Sequence, residues 1–100
     1  MSDDITVKVL REQNQVYASV AGQLDKMSVQ EAATYGGAAP YMRYWFFVEQ
    51  ALTILADDVL VDLNNIDPKT GTNTIYTAVS DGEDFPDQHV EVALDKVRGV

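Results

Sequence analysis

The chain contains no cysteine, which excludes disulfides, thiolate metal ligands and thiol nucleophiles and leaves the redox compartment undetermined. Basic residues are scarce: seven Lys and Arg stand against sixteen Asp and Glu, a net charge of −9 over 100 residues. A field of that sign repels phosphates and gains nothing from counterion release, which argues against conventional DNA or RNA binding. Long hydrophobic runs are missing too. The longest, Tyr44 to Val48, falls far short of the roughly 20 residues a helix needs to cross a bilayer, so no membrane partner is expected. Asp3 and Asp4 stand where a signal peptide carries positive charge, and small secreted scaffolds usually rely on disulfides, so a cytoplasmic protein is expected.

What the chain does have is 46% hydrophobic residues, enough for one domain that buries roughly 65% of its unfolded surface. Ile5, Val7 and Val9 alternate with Thr6 and Lys8, the period of a half-buried strand over about residues 5 to 11. In QVYASVAGQL a second strand, residues 15 to 24, places Val16, Ala18, Val20 and Leu24 on one face, with Gly22 marking a bend or bulge. YMRYWFFVEQ is rich in aromatic residues that favour packed, pleated surfaces and reads as a central strand. ALTIL is either its tail past a bulge or a separate short element. DVLVDL, TIYTAV and HVEVALDKV supply the remaining strands, the last with Val90, Val92 and Leu94 alternating against His89, Glu91 and Ala93. The expected fold is therefore all-β, a small single-domain barrel or sandwich of about six or seven strands, and closing the sheet would remove aggregation-prone edges.

Residues 28 to 40 break the pattern. Ser28-Val29-Gln30-Glu31 has capping-box spacing for one short helical turn, and Gly36, Gly37 and Pro40 then indicate a long exposed loop. Loops of that length in compact domains are often functional, which makes Thr34, Tyr35, Gly36 and Gly37 a candidate docking or channel loop. The aromatic segment that follows carries large rings on both alternating faces, so it is either buried on both sides or presents Tyr41, Tyr44, Trp45 and Phe47 to an oligomer partner.

The stretch DVLVDLNNIDPKTGTNTIYTAV carries Asn, Asp and Gly residues that suggest a calcium loop. Such loops need oxygen ligands at alternate positions. Counting from Asp62 reaches Ile66, which cannot ligate, and counting from Asn65 reaches Lys69, a cation. The turn reading accounts for more residues: Pro68 presets φ, Gly71 admits a left-handed conformation, and Asn64 and Asn65 are expected to cap local backbone. No metal and no cofactor is assigned. His89 and Glu91 share one strand face and form a possible acid/base pair, but the sequence offers no nucleophile or electrophile to go with it, and no catalysis is expected. Acidic residues gather at Asp57, Asp58 and Asp62 and again in SDGEDFPD. These are solvated turns, or else a negative surface that repels DNA or docks on a basic partner.

The succession Asp58-Val59-Leu60-Val61-Asp62, the Asp67 to Gly71 turn, Tyr76-Thr77-Ala78-Val79 and Phe85-Pro86-Asp87-Gln88-His89-Val90-Glu91-Val92 resembles head-closure (stopper) and head-tail connector proteins of tailed bacteriophages, over about residues 54 to 98. The family often has glycine where Asp57 precedes the first strand. The resemblance implies a small β-barrel in a homo-oligomeric ring of the virion neck, assembled in the host cytoplasm. Portal, adaptor and tail proteins would be its partners, and packaged DNA would pass through without specific binding. An acidic lining would suit such a channel, and a ring needs the head-to-tail contacts that surplus aromatic surface supplies. The alternative is an acidic DNA mimic that inhibits a nucleic-acid-binding protein, a role requiring carboxylates spaced like phosphates.

Overall fold

At the N-terminus the alternation of Val7 and Val9 with Thr6 and Lys8 forms β1 (Asp3–Arg11), which reverses through Glu12 and Gln13 into β2 (Asn14–Lys26). Both turn residues have positive φ, 53° and 70°, as the mirror-image turns that match strand twist require, although neither is the Asn or Gly that adopts this geometry readily. The structure, a computed structural model, describes residues 3–28, 30–31, 43–86 and 89–98. Five further strands follow: β3 (Arg43–Val48), β4 (Val59–Ile66), β5 (Asn73–Ala78), the two-residue β6 (Glu83–Asp84) and β7 (Val90–Arg98). The candidate loop residues Thr34, Tyr35, Gly36 and Gly37, and Tyr41, lie outside the described residues.

The sheet runs β3-β2-β1-β4-β5-β7 and closes through β3 pairing with β7, giving a six-stranded antiparallel barrel with β6 attached to β7. Its interior is packed by side chains rather than open: Val7, Val9, Val20, Phe46, Leu60, Tyr76, Val92 and Leu94 are all buried there. Between β3 and β4, Ile54 is buried and Leu52 packs on the core, so ALTIL becomes a non-strand segment that closes one end of the barrel. This upper end also carries the Glu12-Gln13 turn and the connections around Asp57 and Asp81. The lower end carries the β4–β5 hairpin and the ends of β2 and β7.

In β2, Val20 and Leu24 point inward as expected, but Val16 and Ala18 are exposed while Tyr17 packs against the core. The cause lies in the register. Val7 faces Val20 but Val9 faces Tyr17, and Leu10 faces Gln15, so β2 carries an extra residue at each shift and its alternation inverts. Gly22 is not the bulge. A Cβ there would sit 2.5 Å from the Phe46 ring and 2.6 Å from the Phe47 carbonyl oxygen, so glycine permits the close approach of β3 to β2.

The stretch from Asp58 to Val79 forms a hairpin. Gly71 takes φ 71°, its amide donates to the Asp67 carbonyl at 2.8 Å, and the Lys69 amide donates to the Asp67 carboxylate at 2.8 Å. Local capping falls to Asp62 and Asn73 rather than to Asn64 and Asn65: the Asp62 carboxylate accepts the Asn64 amide at 3.0 Å, and the Asn73 side chain donates to the Asp62 carbonyl at 2.8 Å. Ser28 and Glu31 form the expected capping box, each accepting the other's amide at 3.1 and 3.2 Å, and Gln30 and Glu31 have helical backbone.

Thr74 faces inward on β5 with its hydroxyl buried and unpartnered. Two substitutions should therefore move stability in opposite directions in urea denaturation. Gly22→Ala should lose about 1–3 kcal/mol through overpacking against Phe46. Thr74→Val, nearly the same shape without the stranded hydroxyl, should gain about 1 kcal/mol.

Candidate functional site

The outer face of the β3–β7 ladder is the most chemically varied surface described. Because residues alternate across β3, Tyr44, Phe46 and Val48 turn toward the core while Arg43, Trp45 and Phe47 turn outward. Of the predicted interface residues, then, Tyr44 packs on the core, edge-on to Tyr76 at 5.8 Å, and only Trp45 and Phe47 share the outer face. Their rings lie 6.5 Å apart at 32° and both are half-buried. Trp45 sits opposite Ala93 and packs with Met27 and Val79 in a small second cluster. Its indole N–H donates to Glu31 Oε2 at 3.0 Å, so the capping box and the tryptophan are tied together.

At the lower end of this face the Arg43 guanidinium is 2% exposed and forks onto its cross-strand neighbour Asp95 at 2.6 and 2.9 Å. At the upper end His89 Nε2 meets Glu91 Oε2 at 2.9 Å, and the imidazole stacks on Phe85 at 4.4 Å and 5°. The same-face reading of His89 and Glu91 thus holds as geometry. The depression beside them is lined by Gln23, Phe47, Val48 and Glu49, none of them a cation that could stabilise an oxyanion. Among the described residues no three His, Cys, Asp or Glu side chains converge to hold a metal ion.

The acidic residues separate into two populations. Asp58 and Asp62, which sequence places beside Asp57 as one cluster, are 1% and 3% exposed; Asp58 directly precedes β4 and Asp62 lies in the middle of it. Asp58 accepts Arg11 Nε and Nη2 at 2.9 and 2.7 Å and the Leu55 amide at 2.9 Å, and so joins the end of β1 to the segment that closes the barrel. Glu12, Glu49, Asp57, Asp81, Glu83 and Asp84 are exposed and all belong to the upper end. Among the described residues the single Lys or Arg there, Arg11, is committed to Asp58. At the lower end Lys26, Lys69 and Lys96 stand among Asp4, Asp25, Glu31 and Asp67 and offset much of their charge, so the barrel is more acidic at its upper end than at its lower one.

Sequence reasoning finds Trp45, Phe47 and the His89–Glu91 pair, but it misses Arg43 as a buried cation and Asp58 as a buried anchor. The signal for Asp58 is its place directly before a hydrophobic strand. For Arg43 the only signal is a cation inside the most aromatic segment, whose partner lies 52 residues away. No family model matches the sequence, and no curated protein and no solved structure shows significant similarity to it.

Desolvation pushes the Asp58 carboxyl upward, but the Arg11 hydrogen bonds, the Leu55 amide and the Arg11 charge outweigh it, leaving the group below its ordinary 3.8. Glu31 is held below 4.5 by the Ser28 amide, then by the Trp45 indole and the Ser28 hydroxyl. Carboxylates depressed on folding contribute stability that is complete above their unfolded values and is lost as pH falls through the folded ones. The denaturation midpoint should therefore be flat from neutral pH to about 5 and fall below about 4, and Asp58→Asn should flatten the acid limb. Denaturant melts at stepped pH check this.

Proposed function

We propose that this chain is a structural, non-catalytic component of the neck of a tailed bacteriophage, one subunit of a homo-oligomeric ring that joins portal and head to tail and helps retain packaged DNA. The observation that carries the proposal is the axial charge polarity of a barrel whose own interior is filled. DNA cannot thread such a barrel, so a channel has to form between copies, and an acidic end facing that channel repels phosphates and lets DNA slide. Two further features support it. Trp45 and Phe47 lie side by side on one outer face, and aromatic residues of this kind anchor protein interfaces. Asp57 takes φ 71°, the left-handed conformation that the glycine common at this place in head-closure proteins would supply. Assembly then occurs in the host cytoplasm and the protein resides in the virion.

The DNA-mimic reading is less well served, because most of the exposed carboxylates gather in turns, connections and the short β6 at one end rather than in a row of phosphate-like spacing. Sedimentation of the protein alone and with a portal complex should show a ring or portal-dependent incorporation, and Trp45→Ala should weaken association by about tenfold. A protein that stays monomeric and never joins a neck assembly overturns the proposal. Displacement of DNA from a basic enzyme would favour the mimic instead.

A further inference from the structure

The lower mouth of the barrel, unlike the upper end, is open. The β1–β4 ladder ends at Val7 and Asp62, and below it lies a cavity of about 380 Å³. Ile5 and Leu24 give it an apolar floor, and Tyr44 and Tyr76, edge to face, form a wall. Asp4, Asp62 and Lys96 are its charged residues. Mouths of small barrels are common ligand sites, and this volume is at the lower end of the usual range of about 300–1,000 Å³.

Asp62 gives the cavity its chemistry. Asp62 is 3% exposed and lines the cavity, and Oδ1 accepts the Asn64 amide, which leaves Oδ2 to accept from a ligand. A carboxylate this deeply desolvated gains most from a charged donor. The formal charges of Asp4, Asp62 and Lys96 leave one negative charge to be neutralised. With only one Asp62 oxygen available, the two-pronged grip that suits a guanidinium is lost, whereas a compact ammonium needs only one acceptor. Tyrosine faces add attraction for a cation, and the aliphatic floor accepts a hydrocarbon stem.

The geometry points to the lower mouth as a binding site for a primary ammonium on a short aliphatic stem, held by Asp62. A free alkylamine and a lysine side chain of a partner protein share this chemistry. The test is an amide-resonance titration of the ¹⁵N-labelled full chain with n-butylammonium chloride at constant ionic strength, with 1-butanol as the uncharged control. The Ile5, Asn64 and Tyr76 amides should shift saturably with the amine, at a dissociation constant about tenfold or more below that for the alcohol, and Asp62→Asn should remove that advantage. Nα-acetyl-lysine N-methylamide identifies the source: comparable binding supports a partner's lysine, and binding of butylammonium alone supports a free amine. Equal responses to amine and alcohol, shifts that do not saturate by about 100 mM, or unchanged amine binding in Asp62→Asn overturn the inference. If Asp62→Asn does not fold, Asp4→Asn at the exposed rim should weaken amine binding by about threefold without affecting butanol, and no change there overturns it equally.

Discussion

The pairing of β3 with β7, from Arg43 opposite Asp95 to Val48 opposite Val90, is the constraint on which the rest of this structure depends. It joins the two ends of an otherwise open sheet, and it sets Phe46 against Val92 in the interior while leaving Trp45 and Phe47 outside. Without it, β3 and β7 would each present an unpaired apolar edge. The remaining edge, β2 above the stretch paired to β3, is distorted by two bulges, which discourage a second strand from adding there. The aromatic outer face and the open lower mouth both follow from this closure, one as the back of the β3–β7 ladder and the other as the end where the β1–β4 ladder stops short.

Charge is organised around the same frame. A chain with an excess of carboxylates spends some of them as internal fasteners: Asp58 fixes the end of β1, Asp95 neutralises the buried Arg43, and Asp67 shapes the hairpin turn. Such groups are costly to desolvate and are retained only where partners satisfy them. The carboxylates left over are exposed, and the topology sends most of them to one end. A negative pole beside a less acidic body gives a subunit a preferred orientation toward phosphate-rich or basic surroundings, which a uniformly charged sphere would lack.

Much of the fold was legible in the sequence because each strand carries period-two alternation, clearest in Val90, Val92 and Leu94, and because Pro68 and Gly71 have few uses other than a turn. The face of β2 was misread because a bulge shifts the pattern by one residue, and nothing in QVYASVAG marks where. The Glu12-Gln13 turn was invisible for a related reason: its positive φ values are imposed by the two strands rather than requested by Asn or Gly. The candidate sites were less legible than the fold. Trp45 and Phe47 stood out by composition, whereas the burial of Arg43, Asp58 and Asp62 depends on partners far along the chain or on the end of a ladder. Local pattern cannot report such contacts.

Native-state hydrogen exchange of the β3 and β7 amides tests the dependence on barrel closure most directly. If the β3–β7 ladder holds the fold together, the hydrogen-bonded amides among Phe46, Val48, Val92 and Leu94 exchange only through global unfolding and share the denaturant dependence of the whole protein. Exchange of these amides through a local opening of β3, while the other strands stay protected, would contradict it.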